Sequence, residues 1–394
     1  MPHQNIVSRD RFLKPRHLFF LSLVFGLLPH QAHSDGFAAT FESDYVLPLV
    51  EQSPGGALVI VENGKVVLQH VYGVRSQKES EPVTAETLFR IASLSKTFAS
   101  AAASILVEES PLTWQTPLKP SLAGVNFKES GYGSQINLKH LMSQSSGLMP
   151  HAYTNLIEGN MSYRRIVDRL DRVDFVCAPG KCYGYQNVVF SLISDLVESE
   201  TELNYPEFVD ANLFKPLAMN RASFGYKSFV NDPNHARPHV WTGTRWRPVK
   251  PTSNYYKVAP AAGVNASIAD MREWLLAQLG NNPEVLPLAM LDEMQQGVIR
   301  TSRHQAHYPY RKALGDVYYG LGWRVFDYGG AKGFVHHGGY VKGMCSTMVF
   351  HRESGTGMVL LTNSESRGMN ELVLDFAAAH ADRLKKIPLR FAKR

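Results

Sequence analysis

Ser93 and Lys96 lie three positions apart and make the only Ser-x-x-Lys in this 394-residue chain. In a helix, residues i and i+3 share a face, so the hydroxyl and the amine come within hydrogen-bond reach of one another. A serine hydroxyl is a weak nucleophile until a neighbouring base takes its proton, and a lysine removed from water is pushed toward its neutral, basic form. The context supplies that burial. Thr97 to Val107 carries no charge and is apolar on nearly every face, the pattern of a buried helix. A lysine one turn into such a helix is costly unless it has a purpose. At the helix start, free backbone N–H groups and the positive end of the macrodipole also favour negative charge developing on an attacked carbonyl. On the tetrapeptide alone, a surface serine beside a solvated lysine stays equally open.

Two later segments change that balance. Pro179-Gly180-Lys181-Cys182-Tyr183-Gly184-Tyr185-Gln186-Asn187 runs into the helical pattern Val188 to Glu198, and His337-Gly338-Gly339-Tyr340-Val341-Lys342-Gly343 lies in a strand-like stretch. The first resembles the Tyr-x-Asn element of class C serine β-lactamases, D-alanyl-D-alanine carboxypeptidases and related penicillin-binding-protein-like esterases. The second resembles their Lys-Thr-Gly or His-Thr-Gly strand. Ile136 to Leu148 is similar to a further landmark of the same family, with Gln144 in place of its histidine, and Pro216-Leu217-Ala218-Met219, Ala262 to Ser267, Tyr319-Gly320-Leu321-Gly322-Trp323 and Leu361-Thr362-Asn363 are family-like too. The resemblance covers roughly residues 46–380.

The resemblance implies a serine hydrolase with an acyl-enzyme on Ser93, acting on a β-lactam, a D-Ala-D-Ala peptide or a small ester and needing no cofactor. Lys96 and Tyr185 would share the general-base work, a phenol beside cationic groups being expected to have a lowered pKa. Asn187 would hold Lys96 or the substrate amide. The backbone N–H groups of Ser93 and Tyr340 would bind the oxyanion, and Gly338 and Gly339 would let substrate lie against the strand edge. His337 takes the basic strand position, with His336 as the alternative after a one-residue shift. A neutral histidine holds a carboxylate less firmly than lysine, so the reading favours esters over β-lactams, with lactam activity rising as pH falls and His337 gains charge. A catalytically weak sensor that acylates and stalls is the second reading.

Other candidates weigh less. Tyr153-Thr154-Asn155 repeats the Tyr-x-Asn spacing without the Pro-Gly lead-in. His304 and His307 sit in a polar stretch, no His or Cys spacing makes a metal site, and Gly-x-Ser-x-Gly is absent.

The chain opens with Arg9, Arg11, Lys14 and Arg16, then the apolar run Leu18 to Leu28, then Ala32-His33-Ser34. That order predicts a secretory signal peptide over 1–34 and a bacterial periplasmic or secreted domain over 35–394. The run is too short to span a bilayer, and no integral membrane segment is expected after its removal. The leader holds three arginines and a lysine against Asp10, half of the formal net charge of +6. What is left is too mild to suggest nucleic-acid binding. Of three cysteines, Cys177 and Cys182 bracket a Pro-Gly turn and could pair just ahead of Tyr185, leaving Cys345 as a buried thiol.

Alternating apolar patterns flank Asn63-Gly64, a strong hairpin signal. Residues 333–337, 345–351 and 357–362 read as further strands, and 371–385 as a helix. The expected fold is therefore α/β in the α+β sense, resembling the β-lactamase/transpeptidase class. One antiparallel sheet comes from both chain ends (about 35–85 and 310–394) with flanking helices, and a helical insertion fills about 86–309.

Overall fold

The computed structural model describes residues 36–118, 121–122, 124–302, 307–366 and 368–386; the expected leader over 1–34 lies outside them. From Phe37 onward the chain forms one compact unit.

Its centre is a nine-stranded antiparallel sheet. In chain order the strands are β1 (Gly55–Glu62), β2 (Lys65–Ser76), β3 (Glu79–Pro82), β4 (Ile299–Arg300), β5 (Leu314–Tyr319), β6 (Arg324–Tyr328), β7 (Ala331–Val341), β8 (Met344–His351) and β9 (Thr356–Thr362). Across the sheet they run β3-β2-β1-β9-β8-β7-β6-β5-β4, so β1 from the N-terminal part pairs with β9 from the C-terminal part. The Asn63-Gly64 turn joins β1 to β2 with both residues at positive φ, as a tight hairpin of matching twist requires. Strand β4 lies inside the stretch read as helical insertion, so the sheet begins earlier than the expected boundary at 310. Two residues give too little alternation to register as a strand.

The central strands are apolar on both faces because both faces are covered. Ala57, Val59, Met348, Phe350, Val359 and Leu361 pack with α1 (Ser95–Glu109) and α2 (Ile268–Gln278). Leu58, Ile60, Val349, Met358 and Leu360 pack with α3 (Met369–Lys386) and the helical residues 37–50. In α1, every residue from Ser95 to Leu106 is buried, so its sequence carries almost no polar face. The first turn of α1 is tied to its neighbours. Thr97 Oγ1 donates to Leu94 O (2.8 Å) and accepts from Trp274 Nε1 (3.0 Å), the Phe98 and Trp274 rings stack at 4.0 Å, and Val264 N donates to Ser95 Oγ (3.0 Å). Gly322 has φ +74°, and a Cβ there would lie 2.7 Å from Lys96 O, so glycine lets the β5–β6 turn close over the helix.

Among the described residues no helix is long and apolar enough to cross a membrane, and no group of three or more His, Cys, Asp or Glu could hold a metal ion.

Candidate active site

Ser93 sits in a single 3-10 turn, Ala92–Leu94, immediately before α1. Ala92 takes φ +49°, unfavourable for a residue with a Cβ, so the turn is imposed by its surroundings. The neighbours that impose it are β7 and β8. Ser346 Oγ on β8 donates to Ile91 O (2.7 Å), and a Cβ on Gly339 of β7 would come within 2.0 Å of that same carbonyl. Gly339 therefore serves close approach of strand and nucleophile turn. The expectation that it clears room for substrate is corrected: only at Gly338 would a Cβ fit, in ordinary contact with His336 Nε2 and Ser346 O at 3.5 Å.

Ser93, Tyr185, Asn187, His337, Gly338, Gly339 and Tyr340 all line one groove, a cavity of about 830 Å³. Lys96 lies behind this lining, against Asn187 and Tyr185. It is fully buried, with Nζ donating to Asn187 Oδ1 (2.7 Å) and Ala261 O (2.9 Å) and lying 4.7 Å from the centre of the Tyr185 ring. No carboxylate among the described residues pairs with it. Burial, with a smaller contribution from the charge on Arg324, drives the amine well below the usual lysine range. The Tyr185 hydroxyl faces the same groove as Ser93, whose influence favours the phenolate, yet burial outweighs it and pushes the phenol up. The expected lowered phenol is therefore overturned. The cations lie where burial costs the phenolate more than they return, and of the two candidate bases only the lysine moves in the useful direction.

On the strand side the placement follows expectation and the charge state does not. His337, not His336, reaches the groove; His336 points to the opposite side of β7, between Tyr308 Oη (2.7 Å) and Thr347 Oγ1 (3.1 Å). Burial, then the nearby Lys96 and Arg324, hold the His337 imidazole well below its usual range. That direction works against a gain of charge as pH falls, and so against the expected rise in lactam activity toward acid.

The cation on this wall is one that sequence reading passed over. Arg324 begins β6, is buried, and lines the groove beside Tyr183 and His307. Nη2 donates to Tyr183 Oη (3.2 Å), and the guanidinium stands 5.5 Å from the centre of the Tyr319 ring. Nη1 is buried without a hydrogen-bond partner, and no carboxylate pairs with this arginine among the described residues. Burial opposes its charge and the surrounding phenols favour it; a guanidinium starts so high that it stays charged. A signal existed: Arg324, Phe326 and Tyr328 alternate on the buried side of one strand, and a charge on an apolar stripe asks for an explanation.

Cys177 and Cys182 are joined, with Cα atoms 6.3 Å apart, and Cys345 is a buried free thiol. The segment after the disulfide is held by the loop at Gln144: Gly184 N donates to Gln144 O (2.8 Å) and Gln186 N to Gln144 Oε1 (2.7 Å). Tyr153 of the second Tyr-x-Asn turns away and donates to Arg169 O (2.6 Å). Beyond Tyr340 the groove meets a second cavity of about 950 Å³, walled in part by Trp241 and Trp246.

Comparison with known proteins gives the family and the fold. A solved structure, the octameric penicillin-binding protein homologue from Pyrococcus abyssi, superposes with a TM-score of 0.75 at 22% identity over 90% of this chain and 78% of that one, a likeness of fold. Among curated proteins, D-aminopeptidase of Gluconobacter oxydans is 26% identical over 266 residues, 61% of this chain and 45% of its own length. Protein flp of Staphylococcus aureus is 24% identical over 323 residues, 81% of this chain and 61% of its own. The chain thus spans about half to three fifths of the length of the curated relatives it matches. The family model described as Beta-lactamase matches residues 43–383, nearly all of the described unit, and the chain belongs to the Beta-lactamase family.

Proposed function

We propose that this protein is an exported serine hydrolase that forms an acyl-enzyme on Ser93 and prefers amide or ester substrates carrying a carboxylate near the bond to be cleaved. The observation that carries the reading is Lys96. With two acceptors fixed on its Nζ, a neutral amine has one tetrahedral position left, its lone pair, and can take the Ser93 proton as Oγ bonds to the substrate carbonyl carbon. Tyr185, still protonated and on the same groove as Ser93, is suited to pass a proton to the leaving group as the carbon–nitrogen or carbon–oxygen bond breaks, recovering one from Lys96. Water then repeats the sequence to release the acid. Ser93 N–H, at the start of α1, and Tyr340 N–H, on the strand edge, would bind the oxyanion.

Arg324 decides the substrate preference. An unpaired buried guanidinium with a free Nη1 is a ready partner for a carboxylate, and such charge-assisted bonds are the strong ones. This revises the preference for plain esters expected from His337 alone. The names of the relatives, a D-aminopeptidase and a penicillin-binding protein homologue, support the reaction class and leave the substrate to be found.

The test is a substrate panel: a chromogenic cephalosporin, a D-Ala-D-Ala peptide, the same peptide as its C-terminal amide, and short p-nitrophenyl esters. We expect carboxylate-bearing substrates to exceed their neutral counterparts in kcat/KM by roughly ten- to a hundredfold, the worth of one charge-assisted hydrogen bond. Equal rates on acid and amide would contradict the role of Arg324. Labelling without turnover on every member would favour the stalled sensor.

A further inference from the structure

A carboxylate has two oxygens, and Arg324 offers one buried nitrogen without a partner among the described residues. Nη2 already donates to Tyr183 Oη, which leaves Nη1 for the first oxygen. The second oxygen needs another donor from the same wall. Two of the imidazoles there are committed. His337 has its ring nitrogens 3.0 Å from Tyr319 Oη and 2.8 Å from Gly338 O, and His336 has its own 2.7 Å from Tyr308 Oη and 3.1 Å from Thr347 Oγ1. His307, in the stretch ahead of β5, is the third, and it lines the groove with Arg324.

The strands place that ring beside the guanidinium. Arg324 and His336 are directly paired across β6 and β7, so their side chains leave the same face of the sheet as close neighbours. The His307 ring stacks on His336, centres 5.7 Å apart and planes inclined by 29°, and packs edge-on to Tyr308 at 5.5 Å. Its direction is given by Gly338. A Cβ there would have as its three nearest atoms His336 Nε2 and Ser346 O at 3.5 Å and His307 Nε2 at 3.7 Å. The first is engaged with Thr347, and the second, a carbonyl, only accepts. Of the three, His307 Nε2 is the one that can turn a donor toward the strand edge, and a side chain longer than a methyl at 338 would compete with it for that point.

We propose that His307 is a substrate contact, its Nε2–H binding the carboxylate oxygen that Arg324 leaves free, beside the backbone of Gly338. The two residues divide the work: the arginine supplies charge and the histidine a second direction, so that a planar carboxylate is held by both of its oxygens. Burial, then the charge on Arg324, lowers the His307 pKa to about 3, so the ring brings a neutral donor and no second charge. A neutral imidazole carries its proton on either nitrogen, and an anion beside Nε2 selects the tautomer with the proton there.

This rests on the carboxylate preference proposed above, and two measurements keep the failures of the two apart. The first needs no turnover: the Ser93→Ala protein with labelled histidine is titrated with N-acetyl-D-alanine and followed by proton–nitrogen NMR, His307 being assigned by difference from His307→Ala. Binding should bring out an Nε2–H resonance at His307. Saturable binding seen at other signals, with His307 unchanged, overturns the contact and leaves the Arg324 reading standing; no binding at all overturns both. The second is kinetic. His307→Ala should lower kcat/KM on the best carboxylate-bearing substrate by about tenfold, and by far less on short p-nitrophenyl esters, which bring no anion. Gly338→Ser puts a hydroxyl where the imidazole N–H pointed, and in the His307→Ala background it should recover most of that loss. Equal losses on both substrates would reduce His307 to packing, and a double variant no better than His307→Ala would show that no donor is needed beside Gly338. Either result overturns the proposal, whatever Arg324→Met does.

Discussion

The two walls of the groove each bury a cationic side chain that has no carboxylate partner among the described residues, and they use it in opposite ways. On the helix wall, Lys96 is driven toward its neutral form by burial and has its N–H groups taken up by Asn187 and Ala261. On the strand wall, Arg324 stays charged in a comparably buried setting, ringed by phenols and with Nη1 unpartnered. The difference lies in the residue types. An ammonium surrenders its proton when desolvated, while the delocalised guanidinium does not. One wall can therefore accept a proton and the other can hold an anion, and exchanging the two would lose both tasks.

The largest expected effect comes from the helix wall. Lys96→Ala should lower kcat by about 10²–10⁴, the range for a lost general base, and Lys96→Arg should not rescue it because the replacement cannot become neutral. Rescue by arginine, read in steady-state kinetics, would show that charge rather than basicity matters there. In wild type the base must be neutral, so kcat/KM should fall as pH drops through the depressed Lys96 pKa, well below that of free lysine, with no gain from His337 on the acid side. A rate that rises toward acid would count against both assignments.

On the strand wall, Arg324→Met should cost carboxylate substrates about ten- to a hundredfold in kcat/KM and neutral esters far less. Equal losses on both would reduce Arg324 to a packing role. A finer comparison separates the adjacent glycines. Gly339→Ala places a methyl against Ile91 O and should destabilise by about 1–3 kcal/mol or more, whereas Gly338→Ala should leave thermal stability nearly unchanged and narrow the groove. The smallest effect belongs to the approach loop: removing the Cys177–Cys182 link by paired serine substitution should cost about 2 kcal/mol by chain entropy, with modest loss of kcat. Unfolding in denaturant would measure all three.

Much of this was legible in residue patterns. The apolar run after Ser93 gave the buried helix, Asn63-Gly64 the first hairpin, and alternating stretches the last strands. The residues expected around Ser93 line one groove with Lys96 packed behind it, because strand period and helix period each determine which side chains share a face. What escaped were relations between segments distant in sequence. The direction of the Tyr185 shift depends on how deeply the groove is buried. The role of Gly339 depends on Ile91, nearly 250 residues earlier, and Gln144 bonds Gln186 only in three dimensions. Strand β4 is too short to show any period, and Arg324 followed a Gly-Leu-Gly-Trp stretch that drew attention to itself.

The central claim is a covalent acyl-enzyme on Ser93 formed with Lys96 as base. Intact-protein mass spectrometry with peptide mapping after brief exposure to a penicillin and to a fluorophosphonate tests it most directly. The account predicts one adduct, on the peptide containing Ser93, absent in Ser93→Ala and formed far more slowly in Lys96→Ala while both variants keep the wild-type circular dichroism. An adduct on another serine, or labelling of Lys96→Ala at the wild-type rate, would contradict it.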